Sequence, residues 1–205
     1  MKLTSTSLGH GQRIPARYAM GRPAEPATFS DNVSPQLAWT GAPAGTKSFA
    51  LVCVDDDVPS RGDDVNQPGR VVPASLPRVA FYHWVLADLP ASCAGLAEGA
   101  SSEGVTTAGK PCGPAHGGVQ GANDYTSWFA GDPTMAGDYG GYDGPFPPWN
   151  DERRHHYHFV LYALDIASTG LSGAFRGPDL LAAIEGHVLA QAAISAHYSI
   201  YADAF

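Results

Sequence analysis

The sequence predicts a mostly β protein with one C-terminal helix, for three reasons. Its 24 glycines and 17 prolines make up about a fifth of the 205 residues, which favours short strands joined by turns. Several segments carry the apolar runs of buried strands. One segment near the C-terminus has apolar residues at helical spacing. The length and the 44% hydrophobic content suit a single domain over residues 1–205.

In the N-terminal quarter of the chain, the sequence predicts two strands that follow a segment of turns and loops. Residues 1–35 are rich in turns, so we expect short strands and loops that wrap the domain. Leu37–Trp39 predicts a short strand, and Ser48–Val54 predicts a strand that is apolar on both faces. Cys53 should be buried and unreactive there. The acids Asp55–Asp57 then form either a solvated turn that ends the strand or the lip of a site.

A third strand follows a long polar loop. Residues 60–78 are punctuated by proline and glycine and predict an excursion loop. Val79–Pro90 then predicts a long apolar strand, with His83 on the same face as Phe81, Val85 and Ala87. A lone histidine in such a strand is more often a core residue with satisfied hydrogen bonds than a ligand-binding residue.

The stretch Gly140–Asp165 (GGYDGPFPPWNDERRHHYHFVLYALD) is the strongest local signal. Its first half is too dense in glycine and proline for regular structure, and a strand begins at His155. Period two places His155, Tyr157, Phe159, Leu161 and Ala163 on one face and His156, His158, Val160, Tyr162 and Leu164 on the other. The polar start of this strand is either a solvated strand end or the wall of a pocket formed with the loop.

The remaining segments predict one more strand and one helix. Residues 91–135 read as loops with a strand near Gly117–Gly121. Gly177–Asp179 is typical of a helix start, with proline at the first helical position and an acid in the first turn. Apolar spacing extends the predicted helix over about Pro178–His197, where it covers one face of the sheet.

Charge and composition exclude several classes of protein. The net charge of −8 and the pI near 5.3 give no basic surface for nucleic acid or an anionic membrane. No apolar run approaches the roughly 20 residues of a membrane span, and the N-terminus lacks the pattern of a signal peptide, so we expect a cytoplasmic protein. The three cysteines lack the spacing of zinc sites and predict free thiols, and no cofactor motif is present.

Four segments, in order, resemble the phosphatidylethanolamine-binding protein family, also called Raf kinase inhibitor-like proteins, and its bacterial cytoplasmic branch in particular. They are Ser34–Trp39 (SPQLAW), Leu51–Arg61 (LVCVDDDVPSR), Phe81–Pro90 (FYHWVLADLP) and Gly141–Asp165. The resemblance covers about residues 30–200. It implies a large antiparallel sheet packed against a smaller one, and by family analogy a homodimer is a plausible assembly.

The resemblance also implies a small anion-binding pocket. The corresponding residues in this sequence are Asp55, Asp57, Pro59, His83, Gly144, Pro147, Pro148, His155 and Tyr157. Three positions depart from the family pattern: Asp56 replaces a proline, Phe146 replaces a cysteine or glycine, and His156 replaces an arginine. We expect the first two departures to alter the shape of the pocket or its ligand preference, and His156, which points to the opposite face, to have a smaller effect.

The leading hypothesis is a non-enzymatic binding protein for a phosphate-bearing or other small anionic ligand. Imidazole N–H groups, the Tyr157 hydroxyl and loop amides are donors that suit anionic oxygens, and Asp55 should orient a histidine. With His83 and His155 both charging near pH 6.5, anion affinity should rise as pH falls through that value.

Two other hypotheses remain open. An Asp and His cluster made from Asp55, His83, His155, His156 and His158 resembles the ligand set of a metal-dependent hydrolase. A kinase or protease inhibitor that acts by protein contact, known among eukaryotic relatives, is the third class, and its partner cannot be named.

Overall fold

The computed structural model describes residues 1–201, which form eleven strands and three short helical segments. The strands are β1 (Lys2–Thr4), β2 (Gly21–Arg22), β3 (Thr28–Phe29), β4 (Leu37–Thr40), β5 (Ser48–Pro59), β6 (Arg78–Pro90), β7 (Gly95–Leu96), β8 (Gly113–Ala115), β9 (Gly118–Gln120), β10 (His155–Leu164) and β11 (Val188–Tyr198). The helical segments are a 3₁₀ turn (Ala16–Tyr18), α1 (Tyr125–Trp128) and α2 (Gly177–Ala183). Across this part of the chain, no helix is both long and apolar enough to span a membrane.

A six-stranded antiparallel sheet dominates the molecule. Its strand order is β11–β10–β5–β6–β9–β8, so the long strands β10, β5 and β6 lie side by side at its centre. A smaller sheet has the order β1–β4–β7, and β2 pairs with β3 in a separate ribbon. Central strands are covered on both faces, which explains why their sequences are apolar on both sides.

The main core lies between the large sheet and the smaller one. Leu3, Leu37 and Trp39 from the smaller sheet pack in one cluster with Leu51 and Phe159 of the large sheet. The opposite face of the large sheet is covered by α2 and its flanking residues. There the buried cluster includes Val52, Val85, Leu180 and Ile184. The predicted fold class, a large sheet on a smaller sheet with a C-terminal helix, is therefore confirmed.

Most predicted strands are present at the predicted positions. β4, β6 and β10 match their predicted ranges to within one residue, and β9 lies inside the predicted Gly117–Gly121 strand. The alternation in β10 is as predicted, since Tyr157, Phe159 and Leu161 enter the main core. Cys53 is buried at 1% exposure, as its apolar strand predicted.

The predicted helix over Pro178–His197 is wrong after its first two turns. α2 ends at Ala183, and Gly186 takes a φ of +80°, a conformation that glycine adopts easily. Residues Val188–Tyr198 then form β11, paired along the whole length of β10. Apolar spacing in this segment suits a helix, but the strand satisfies backbone groups of β10 that would otherwise be an open sheet edge.

β5 also continues beyond its predicted end. Asp55 pairs with Phe81 and Val58 pairs with Val79, so an irregularity in the pairing absorbs Asp56 and Asp57 without ending the strand. The three acids therefore lie within a bulged strand and not in a turn. The bulge points the side chains of the three acids in different directions and so determines which of them reaches the site.

A second irregularity changes the face on which His83 lies. Cys53 pairs with Trp84 and Val54 pairs with Tyr82, so His83 is an additional residue on β6. Trp84 lies in the main core, whereas Val85 packs on the opposite face with α2. The prediction that His83 shares a face with Val85 is wrong, because the bulge turns His83 toward Tyr157 of β10, 5.1 Å away between ring centroids.

Candidate functional site

A cavity of about 200 Å³ lies where β5, β6 and β10 meet the segment 140–148, which we call the proline loop. Its polar lining includes Asp55, His83, His155 and Tyr157. These four side chains come from three separate strands and were predicted to converge, which the structure confirms. Each of them is at most 3% exposed. Pro59, Pro147 and Pro148 also line the cavity, as expected from the resemblance.

Two of the predicted pocket residues do not line the cavity. The Asp57 carboxylate is turned outward, where it accepts hydrogen bonds from His156 Nδ1 at 2.8 Å and from Arg153 at 3.2 Å. Gly144 lies behind the wall, and a Cβ on it would meet the Tyr18 carbonyl oxygen at 2.1 Å. Gly144 is therefore required for close backbone packing. Asp57 instead shapes the site through its amide, which donates to Asp55 Oδ1 at 2.8 Å.

His155 is held between two carboxylates. Its Nδ1 lies 2.7 Å from Asp55 Oδ2, and its Nε2 lies 3.1 Å from Asp151 Oδ2. Burial opposes a charge on the ring, but the two carboxylates outweigh it and raise the pKa of His155 to about 9. At neutral pH His155 is therefore a cation with both N–H groups in use, and it has none left for a ligand.

Asp151 joins His155 to a buried arginine. Arg78, whose side chain is 5% exposed, donates to both oxygens of Asp151, at 2.5 and 3.0 Å. Burial alone would raise the pKa of Asp151, but the hydrogen bonds from His155 and Arg78 lower it. The chain Arg78–Asp151–His155–Asp55 thus contains two cations and two anions and is balanced in charge. We call it the four-residue network.

His83 has a different environment at similar depth. Its Nδ1 lies 2.7 Å from the backbone carbonyl oxygen of Asp143, and the ring packs against Phe81 and Tyr157. Burial lowers the pKa of His83, and the nearby carboxylate of Asp55 only partly opposes this. His83 is therefore neutral at pH 7.

The Tyr157 hydroxyl is buried and faces the Asp55 carboxylate, but within residues 1–201 it makes no hydrogen bond of regular geometry. Burial, reinforced by the negative charge of Asp55, raises the pKa of Tyr157 well above its usual value, so the hydroxyl keeps its proton. An unpaired hydroxyl in a buried site costs about 1–3 kcal/mol, which a hydrogen bond to a ligand would recover.

A second buried network anchors the proline loop. The Asp143 carboxylate receives hydrogen bonds from Asn32 at 2.7 Å and Asn123 at 2.8 Å, and it forms an ion pair with Lys110 at 2.9 Å. Burial lowers the pKa of Lys110 despite this partner. Because the Asp143 carbonyl holds His83, the network fixes that ring from behind.

The rest of the cavity wall is apolar and mostly aromatic. Phe146, one of the departures from the family pattern, lines the cavity and contacts Phe29 edge-on at a centroid distance of 5.8 Å. Phe29 and Trp128 are 46% and 53% exposed and lie at the mouth. Asp56, the other departure, has a 61% exposed side chain and lies 3.8 Å from His158, outside the cavity.

The sequence reasoning missed Arg78, Asp151, Asp143 and Lys110, all of which fix pocket residues. Asp151 stands four residues before His155, which is the one local signal that could have linked them. For the others the partners described above are between 20 and 111 residues apart in sequence, so no spacing reveals them. In residues 1–201 no three His, Cys, Asp or Glu side chains are grouped in a way that could hold a metal ion.

Two packed sheets, a covering helix and a partly polar cavity at the ends of the central strands define the class of this protein as a β-sandwich with a preformed cavity. The family model described as phosphatidylethanolamine-binding protein matches residues 4–199. The chain therefore belongs to the phosphatidylethanolamine-binding protein family.

Relatives with similar sequences extend over nearly the whole chain. The UPF0098 protein of Methanothermobacter thermautotrophicus is 33% identical over 198 residues, covering 97% of this chain and 98% of the relative. The UPF0098 protein YbhB of Escherichia coli is 32% identical over 203 residues, covering 97% of this chain and 100% of the relative.

Two solved structures have the same fold. Escherichia coli YbcL, described as a new member of the mammalian family, matches with a TM-score of 0.69 at 24% identity, covering 97% of this chain and 98% of YbcL. A Chlamydia trachomatis homologue of the phosphatidylethanolamine-binding proteins matches with a TM-score of 0.65 at 26% identity, covering 97% and 96% of the two chains.

Proposed function

We propose that this protein is a non-enzymatic binding protein whose cavity receives a phosphate-bearing or other small anionic group. The group belongs either to a free small molecule or to a phosphorylated segment of a partner protein. The observation that carries the proposal is the Tyr157 hydroxyl, which is buried beside the cavity and makes no hydrogen bond of regular geometry in residues 1–201, its nearest acceptor being the Asp55 carboxylate. A ligand oxygen at this position would satisfy it.

The size of the cavity and its lining support this proposal. About 200 Å³ holds a phosphate group and a small substituent, but not a complete nucleotide or lipid. Polar groups lie at the inner end and aromatic side chains lie at the mouth, which suits a polar head carried on a less polar body.

The proposal assigns no catalytic role to His155. A general base needs an imidazole nitrogen with a free lone pair. Both nitrogens of His155 are engaged by carboxylate oxygens, at 2.7 and 3.1 Å. We therefore propose that His155 is part of the framework of the pocket.

The test is calorimetric titration of the wild-type protein and of Tyr157→Phe with inorganic phosphate. Hydrogen bonds to charged groups contribute about 1.5–3 kcal/mol, so the variant should bind phosphate roughly tenfold more weakly or worse. Its melting temperature should be unchanged or higher, because the substitution removes an unpaired buried hydroxyl.

Tyr162→Phe is the matched control, since Tyr162 packs with α2 on the opposite face of the sheet. It should leave phosphate affinity unchanged. If the wild type does not bind phosphate at millimolar concentration, or if Tyr157→Phe binds as tightly as the wild type, the proposed function is wrong.

A further inference from the structure

The hydrogen bond at Nδ1 of His83 determines whether Nε2, on the other side of the ring, is a donor or an acceptor. A carbonyl oxygen only accepts hydrogen bonds, so Nδ1, at 2.7 Å from the Asp143 carbonyl, must carry the proton. In the neutral ring, Nε2 is then an acceptor. Within residues 1–201 Nε2 has no hydrogen-bond partner, and the ring lines the cavity.

Among the described residues, the charged groups around His83 offer no unused N–H donor and no unpaired cation to an anion in the cavity. From β5, Asp55 faces the ring, but its partner His155 already uses both N–H groups on carboxylates. From β10, Tyr157 contributes a hydroxyl. Tyr125 of α1 also packs on the ring, but its hydroxyl donates to the Gly144 carbonyl at 2.9 Å. Next to the His83 ring the cavity therefore presents two acceptors, Asp55 and Nε2 of His83, against one donor, the Tyr157 hydroxyl.

The more distant acids near His83 are also paired. Asp124, which precedes α1, accepts from Arg176 at 2.5 Å, and Asp143 forms its ion pair with Lys110 at 2.9 Å. Neither of these cations faces the cavity. An anion without a proton would thus meet two acceptors directly and would lack donors for most of its oxygens.

We infer that the pocket binds its anion together with one proton, held between a ligand oxygen and Nε2 of His83, and that it therefore selects phosphate monoesters over sulfate esters. This inference rests on the proposed function and names the ligand class of the same cavity. A phosphate monoester arriving as the monoanion brings the proton, and one arriving as the dianion takes it from solvent. No other bond forms or breaks. A sulfate ester carries no proton near neutral pH, so it must take one from solvent onto a buried imidazole.

The experiment compares methyl phosphate with methyl sulfate, which have similar size. Near pH 6 a phosphate monoester is about half monoanion, since its second pKa is near 6. Methyl phosphate should bind at least about tenfold more tightly than methyl sulfate at this pH. At pH 7.5, calorimetry in two buffers of different ionisation enthalpy should show close to one proton taken up per methyl phosphate bound, falling at lower pH as the ligand brings its own.

His83→Asn tests the residue. The Asn amide keeps an N–H donor toward the Asp143 carbonyl, but its oxygen takes up no proton near neutral pH and its side chain is too short to reach the position of Nε2, so proton uptake and the preference for methyl phosphate should both disappear. His116→Asn is the matched control. His116 lies outside the cavity, burial also lowers its pKa, and its φ of +56° suits asparagine. This variant should keep both properties.

The wild-type measurements decide the inference even if His83→Asn does not fold. Equal affinity for the two esters, or binding of methyl phosphate at pH 7.5 without proton uptake, would overturn it while leaving anion binding intact. Failure of both esters to bind at millimolar concentration would overturn the proposed function itself.

Discussion

His83 and His155 line the same cavity from strands on either side of β5, yet their rings are in opposite electrostatic states. Both are almost fully buried, at 3% and 1% exposure. His155 has a carboxylate on each nitrogen, and the pKa of its ring rises to about 9. His83 has one backbone carbonyl as its partner, and burial lowers the pKa of its ring. Burial alone therefore does not decide the charge of a histidine; the formal charge of its hydrogen-bond partners does.

This difference in charge separates a residue that holds the pocket together, His155, from one that faces the cavity, His83. His155 is a permanent cation that ties β10 to β5 and to the end of the proline-rich segment at Asp151. His83 keeps one nitrogen open to the cavity. The expectation that both histidines charge near pH 6.5 is wrong for His155, because its two carboxylate partners keep it charged well above that pH.

The largest effect should come from removing the far end of the four-residue network. Arg78→Met leaves the Asp151 carboxylate buried with His155 as its one remaining cationic partner. Breaking a buried ion pair at one partner costs about 3–5 kcal/mol, so the free energy of unfolding in urea should fall by that amount.

Arg70→Met is the matched control, because Arg70 forms an exposed ion pair with Asp64 in which the side chains are 60% and 39% exposed. Such pairs contribute at most about 1 kcal/mol. Equal losses in the two variants would mean that the network does not behave as a buried unit.

The second prediction concerns the change in the free energy of unfolding as pH rises above neutral. The folded-state pKa of His155, about 9, exceeds the unfolded value near 6.5, so the folded protein binds more protons between these values. The stability from His155 is thus fully present below pH 6.5 and is lost as pH rises through 9, by about 3 kcal/mol.

Urea unfolding of the wild type and of His155→Gln from pH 6 to 10 isolates this contribution from other titrating groups. The difference in unfolding free energy between the two proteins should shrink across the interval. A difference that stays constant with pH would show that His155 does not remain charged in the folded protein.

The sequence was sufficient for the central strands β5, β6 and β10 and, through the family resemblance, for the four inward residues, but not for the directions set by bulges. Period two predicts the face of Tyr157 and Phe159 correctly because β10 is regular there. It fails for His83, since one additional residue on β6 reverses the alternation and nothing in the apolar run Val79–Pro90 signals it.

The charge states in the pocket also lay beyond sequence reasoning. The charge of His155 depends on the pair Arg78 and Asp151, which are 73 residues apart. The charge of His83 depends on its hydrogen bond to the backbone carbonyl of Asp143. The error at β11 has a different cause. Its apolar spacing is compatible with a helix, and only the open edge of β10 favours the strand.

The third prediction concerns the free energy of unfolding below neutral pH, which His83 should lower as pH falls. Its folded-state pKa is lowered, so below about pH 6.5 the unfolded chain binds the proton first and stability falls as pH falls. The loss is at most about 1.4 kcal/mol per pH unit. Urea unfolding between pH 7 and 5 should show a shallower slope for His83→Asn than for the wild type. Tyr162→Phe, which changes no group that titrates between pH 5 and 7, should keep the wild-type slope.

The smallest expected effect, no change at all, tests the rival hypothesis of a metal enzyme built on Asp55, His83 and His155. A histidine binds a metal through a nitrogen lone pair. His155 has none free, because both of its nitrogens donate to carboxylates. A chelator should therefore leave the melting temperature unchanged, and added zinc should not raise it.

His156→Asn is the control for this experiment, because the exposed His156 lies 2.8 Å from the mostly buried Asp57 carboxylate and the two offer a weak site of their own. A stabilisation by zinc that His156→Asn abolishes belongs to that pair. A large drop in melting temperature with chelator, or stabilisation by zinc that persists in His156→Asn and disappears in His83→Asn, would mean that a metal displaces the protons of the network. The contrast between the two histidines would then describe only the metal-free state.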